Sequence, residues 1–219
     1  MLRSYQPARI FASVVHYNSV IMNNSVRPKA LIIGHSFVRR LKDDLLRKFD
    51  SRASLDFGLD RSIEVLLHGV GGLRVTQLRR IISQKVRDLS PNAVLLEIGT
   101  NDLGSISPEI VGSDIHDIVE YLHFSLGIQM MGVCLVIPRR VRESGLPDAG
   151  FNLLALKLNQ YLSVLLDDTP FAFVWHHEEL ESLDRAILMP DGVHLNPHGQ
   201  YKLYRSYRGA LLKALPSSS

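Results

Sequence analysis

Five short apolar runs, each followed by a segment with helical periodicity, constrain the fold of this chain more than any other feature. The runs are Ala30–Ile33, about Ser62–Leu67, Ala93–Ile98, Gly132–Ile137 and Phe171–Trp175. A run such as Ala30–Ile33, short and without polar alternation, reads as a strand buried on both faces. Strands that alternate with helices are joined by right-handed crossovers, which places them in a parallel sheet with helices on both sides. The expected fold class is therefore α/β, with no internal repeat and no linker dividing residues 30–215.

The helical segments carry their own start and stop signals. Phe37, Val38, Leu41, Leu45 and Phe49 recur at helical spacing after the first run, with Arg39, Arg40, Lys42, Asp43 and Asp44 on the other side. Leu78, Ile81, Ile82, Val86 and Leu89 mark a second helix, stopped by Ser90-Pro91-Asn92 because proline cannot continue it. Ser107-Pro108-Glu109 starts a third, with serine as cap and proline in the first turn, and its stripe of Val111, Ile115, Ile118, Val119 and Leu122 runs to about Leu126. A fourth helix is expected over about Phe151–Leu166, and Asn196-Pro197 starts a last one, over about Pro197–Leu215.

Composition excludes some function classes. Of 219 residues, 46% are hydrophobic and 21% charged, which suits one domain with a sizeable core. A net charge of +3 and a pI near 9.1 are far from the dense basic stripe of a nucleic-acid binder, and no aromatic platform accompanies them, so no direct nucleic-acid binding is expected. Cys134, the single cysteine, lies in an apolar run and reads as a buried, inert thiol that suits a reducing, intracellular setting. Residues 1–29 contain Arg3, Arg9, Arg27 and Lys29 but no acid, and no apolar run long enough for a membrane span. A disordered extension is the favoured reading over a mitochondrial-type leader, and residues 216–219 read as a tail.

The chemistry gathers at strand ends, where open α/β sheets bind ligands. Ser36 follows the first run, the Gly-rich turn His68-Gly69-Val70-Gly71-Gly72 the second, Asn101 the third, and Asp191-Gly192-Val193-His194 precedes the last helix. A serine hydroxyl needs a base to become a nucleophile, and histidine is suited to that near neutral pH. Asp191 and His194 are close enough for one loop to present a carboxylate and the imidazole it orients. The backbone N–H groups of Ser36 and Gly72 and the side-chain amide of Asn101 are the candidate oxyanion donors.

Gly34-His35-Ser36, Gly71-Gly72, Gly99-Thr100-Asn101-Asp102 and Asp191-Gly192-Val193-His194 resemble, in order and spacing, the four blocks of the SGNH (GDSL-type) hydrolases. The resemblance spans residues 30–215 and is also reminiscent of the esterase domains carried by LINE-type mobile elements. It implies a three-layer α/β/α sandwich, flavodoxin-like, with a five-stranded parallel sheet. It further implies hydrolysis of a small-molecule, carbohydrate or lipid ester without cofactor or metal. Ser36 is then the nucleophile, His194 the base, Asp191 its carboxylate, and Ser36, Gly72 and Asn101 the oxyanion hole.

One residue departs from the pattern. The family's first block usually has aspartate before the serine, and here His35 stands there. Because Asp191 supplies the triad carboxylate, this change is expected to alter the hydrogen bonding of the turn rather than the proton relay. The alternative to an esterase is a catalytically degenerate binding or accessory module, in which Ser36 merely caps the first helix and the other blocks are turns. His176 and His177 read as structural, a metal at His194 and His198 is not expected, and the Arg139-Arg140-Arg142 loop is read as solvated surface rather than a face for anionic substrates.

Overall fold

In the computed structural model, which describes residues 27–48, 57–59, 63–141, 148–181 and 185–215, five strands form one parallel sheet. They are β1 (Lys29–Gly34), β2 (Glu64–Gly69), β3 (Ala93–Glu97), β4 (Met130–Cys134) and β5 (Ala172–Trp175), in the order β2-β1-β3-β4-β5. The helices between and after them are α1 (Ser36–Lys48), α2 (Val75–Leu89), α3 (Pro108–Phe124), α4 (Ala149–Asp167) and α5 (Pro197–Ala214). This is the flavodoxin-like order, and the chain reverses direction across the sheet between β1 and β3. The loops after those two strands therefore diverge to opposite sides and leave a crevice.

Alternate residues of the strands feed two cores. Leu31, Ile33, Val94, Leu96 and Val133 pack with the apolar stripes of α2, α3 and α4, while Ala30, Ile32, Ala93 and Leu95 pack with α1 and α5. Ala30 through Ile33 and Ala93 through Leu96 are all fully buried, which is why these runs show no polar alternation. The expected caps form: Ser107 Oγ accepts from Ile110 N–H and Asn196 Oδ1 from Gly199 N–H, each with proline in the first turn. Ser90 closes α2 in the left-handed region at φ 47°.

Two strands differ from their expected limits by more than one residue at an end. β2 runs on through His68 and Gly69 because β1 pairs with it as far as Gly34↔Gly69. β4 ends at Cys134 rather than Ile137: Leu135 N–H still donates to Trp175 O at 3.0 Å, and at Val136 the Asn159 amide on α4 stands in for a strand partner. It accepts from Val136 N–H at 2.9 Å and donates to Val136 O at 3.0 Å. The readings that rest on residues 1–26, Phe49, Ser62, Arg142 and 216–219 lie outside the described residues. Among those described, no helix is long and apolar enough to cross a membrane.

Gly34 is set by packing. A Cβ there would lie 2.3 Å from the Glu97 carbonyl oxygen and 2.5 Å from Glu97 Cβ. The glycine at the end of β1 thus makes room for Glu97 at the end of β3, its register partner.

Candidate active site

Backbone and side-chain hydrogen bonds stitch the loops at the carboxyl edge of the sheet together. Val70 N–H donates to Gly34 O at 2.9 Å, so the Gly71-Gly72 turn starts beside the end of β1. The Asn101 amide donates to Leu73 O at 3.0 Å, joining that turn to the loop after β3. Asp102, fully buried, accepts Val75 N–H on both oxygens at 3.2 and 3.3 Å and so tethers the start of α2 to the same loop. Burial pushes the Asp102 carboxyl above its ordinary range.

The loop after β4 completes the ring. The Arg139 guanidinium donates to Thr100 O at 3.2 Å and to Thr100 Oγ1 at 2.8 Å, and stacks 4.0 Å from the Phe151 ring centroid. Arg140 N–H donates to Gly192 O at 2.9 Å, which attaches the Asp191–His194 loop. Gly192 is required here, since it has φ +71° and a Cβ would lie 2.3 Å from Arg140 O. Arg139 is therefore a brace between loops, which corrects its reading as solvated surface. Its guanidinium is used internally, on Thr100 and against the Phe151 ring.

Ser36 is the first residue of α1, and His35 holds the cap position before it. The His35 carbonyl accepts Arg39 N–H at 3.3 Å and its Nδ1 accepts Phe37 N–H at 3.4 Å, as an N-cap side chain does. The capping role open to Ser36 is thus taken by its neighbour. Ser36 is half-buried, and among the described residues its hydroxyl makes no hydrogen bond, including none to His194. Its N–H is one of the first-turn donors that a helix leaves without an internal partner. Gly72 has φ +71° and open space on its Cβ side. The remaining Asn101 amide hydrogen is not consumed by Leu73.

Asp191 and His194 form the expected carboxylate–imidazole pair. His194 Nδ1 lies 2.7 Å from Asp191 Oδ2, while Oδ1 accepts the N–H groups of Val193 and His194 at 2.9 and 2.8 Å. Partial burial works against the charge. The His194 N–H, the His194 ring and the Val193 N–H outweigh it and hold the Asp191 carboxyl down at about 2. With Nδ1 occupied, Nε2 is the ring atom left for chemistry.

Beneath Ser36 lies a buried polar cluster that the sequence reading missed. Glu97, 2% exposed, receives the Tyr207 hydroxyl at 2.9 Å and His177 Nε2 at 3.0 Å on Oε2, and His35 Nε2 lies 3.4 Å from Oε1. Cys134 and His177 also bring ligand-type atoms within 4.8 Å of the carboxylate, but these groups already bond to one another. Burial alone would raise the Glu97 carboxyl, whereas the attraction and hydrogen bonding of His177, and then of His35, hold it far below its ordinary value of 4.5. Because the folded value is the lower one, the stabilisation is present above pH 4.5 and is lost as pH falls below it. Denaturation midpoints followed on acidification should therefore fall less steeply in Glu97→Gln than in wild type, and equal slopes would remove Glu97 from this role. One signal pointed here in advance: a lone acid closing an apolar strand is rarely left unpaired.

The architecture and the four stitched blocks define a doubly wound hydrolase fold. The chain belongs to the GDSL-like lipase/acylhydrolase family, whose model matches residues 33–205. Among solved structures, it is similar to a GDSL-like lipase from Bacteroides thetaiotaomicron, with a TM-score of 0.65, 18% identity, and 86% of this chain and 90% of that one covered. It is also similar to a variant of an acetyl-xylooligosaccharide esterase from Geobacillus stearmophilus, with a TM-score of 0.61, 16% identity and coverage of 87% and 95%. A member of the lipolytic G-D-S-L family from Veillonella parvula gives 0.60, 16%, 84% and 98%. No protein of curated function matches the sequence.

Proposed function

We propose that the protein is a serine esterase in which Ser36 is the nucleophile, His194 the general base and Asp191 its orienting carboxylate. The observation that carries this reading is the 2.7 Å bond between His194 Nδ1 and Asp191 Oδ2, which leaves Nε2 free to take a proton. The Ser36 Oγ–carbon bond forms as the Oγ proton passes to His194 Nε2, and the ester carbonyl becomes an oxyanion. The N–H groups of Ser36 and Gly72 and the Asn101 amide stabilise that oxyanion, aided by the amino-terminal end of the α1 dipole. Collapse expels the alcohol, which takes the proton from His194 and leaves an acyl-Ser36. Water, deprotonated by the same nitrogen, then releases the acid and restores the serine.

The test is reaction with an organophosphonate, which modifies serines whose proton a neighbouring base removes, combined with turnover on a panel of acetyl to long-chain esters. Acetyl esters come first, because one of the similar structures is named as an acetyl-xylooligosaccharide esterase. Wild-type protein should label once, at Ser36, faster at neutral than at acidic pH, and Ser36→Ala should not label. Folded wild-type protein that neither labels nor turns over any ester moves the reading to a binding module.

A further inference from the structure

We propose that His35 and Glu97 form a positioning pair for the nucleophile, with Glu97 setting the tautomer of His35 and His35 setting the turn that presents Ser36. This rests on the esterase reading above. The geometry starts at Phe37 N–H, which donates to His35 Nδ1 at 3.4 Å. A ring nitrogen that accepts carries no hydrogen, so the His35 hydrogen sits on Nε2, which lies 3.4 Å from Glu97 Oε1. The same glutamate holds the backbone, since His35 N–H donates to Glu97 O at 3.1 Å. His35 is thus gripped by Glu97 at both its ring and its main chain. An aspartate at this position would accept Phe37 N–H through its own carboxylate and need no such support. Histidine reproduces the acceptor only when its other nitrogen has a partner.

Glu97 is in turn held rigidly. The Trp175 indole N–H donates to Ser206 Oγ at 2.9 Å, and that oxygen lies 2.8 Å from His177 Nδ1. Indole is a donor only, so the Ser206 hydroxyl hydrogen is free to go to His177 Nδ1, which puts the His177 hydrogen on Nε2, facing Glu97 Oε2 at 3.0 Å. Tyr207 donates to the same oxygen at 2.9 Å. Every hydrogen in the series has a destination, and the series runs from β5 and α5 through β3 to the residue before Ser36. It touches neither Asp191 nor His194. Its effect on the reaction is to place Ser36 Oγ and the Ser36 N–H, where a displacement of about 1 Å costs on the order of a hundredfold in rate.

The experiment compares phosphonate labelling rates, and kcat and KM per titrated active site, for wild type, His35→Ala and His35→Asn. His35→Ala should lower the labelling rate and kcat about ten- to a hundredfold at nearly constant KM. His35→Asn, whose Oδ1 accepts Phe37 N–H unaided, should recover most of that loss. Glu97→Gln should slow labelling in the His35 protein and add little in the His35→Asn protein, the mark of two residues acting in series. Nitrogen-15 spectra of the wild-type histidine rings give a second readout that needs no variant to fold, and should show His35 protonated on Nε2 alone. Equal rates for His35→Ala and wild type, no rescue by asparagine, or a proton on His35 Nδ1 would overturn the pair while leaving the esterase reading intact. Failure of the wild type itself to label at Ser36 would remove the esterase reading, and the pair with it.

Discussion

Asp191→Asn should lower kcat by about ten-thousandfold while leaving the fold and KM nearly unchanged. Two different oxygens of Asp191 do different work, which is what separates the effects. Oδ1 accepts Val193 and His194 N–H and shapes the loop, and an asparagine carbonyl in the same place keeps both bonds. Oδ2 faces His194 Nδ1, where asparagine presents N–H groups instead. Nδ1 must then become the acceptor, the ring hydrogen moves to Nε2, and Nε2 has no lone pair left for the Ser36 proton. His194→Ala, which removes the base outright, should be at least as damaging. The measurement is kcat and KM on the best ester of the panel, with thermal unfolding as the control for the fold. A fall of less than about tenfold for Asp191→Asn, with the protein folded, would mean that Asp191 shapes the loop and does not orient a base.

Asn101→Ala should lower kcat about a hundred- to a thousandfold, again with little change in KM, the range found when one oxyanion donor is removed. The amide already has one hydrogen committed to Leu73 O at 3.0 Å, which aims its plane, and one uncommitted. Loss of the amide should leave the Gly72 N–H in place, because Val70 N–H to Gly34 O and Leu73 N–H to Val70 O hold that turn independently. The deficit therefore belongs to the missing donor. Asn101→Asp is the sharper control. It keeps the shape, replaces donors with a charge that repels the oxyanion, and should be worse than alanine. Unchanged kcat in Asn101→Ala would reduce the donors to Ser36 and Gly72 N–H and make Asn101 a tether between two loops.

The class of fold, the five strands and the five helices were legible in the sequence because each rests on local periodicity. Four apolar runs lack alternation because both faces of those strands meet helices, and Ser107-Pro108 and Asn196-Pro197 announce helix starts through capping chemistry that spans four residues. The Asp191–His194 pair was legible for the same reason, since a short loop alone brings the two together. Strand limits were less so. His68 and Gly69 read as a turn until β1 supplies the partner that makes them strand, and Val136 reads as strand until Asn159, on a later helix, takes both of its backbone groups.

What only the tertiary structure decided is how the residues between the motifs hold them in place. Arg139 reads from its neighbours as one more surface cation, yet it reaches Thr100, 39 positions earlier, and braces two loops. Glu97, His177 and Tyr207 carry no pattern relative to one another, being 80 and 110 positions apart from the glutamate, and they become one network only when β3, the segment after β5, and α5 are packed. His35 shows the boundary best. Its identity marked it as a departure from the family pattern, but whether a histidine there could do the work of an aspartate depended on an acceptor for its second nitrogen. Hydrogen-bond satisfaction in a buried site is a property of three-dimensional neighbours, and that acceptor arrived from a strand more than sixty residues away.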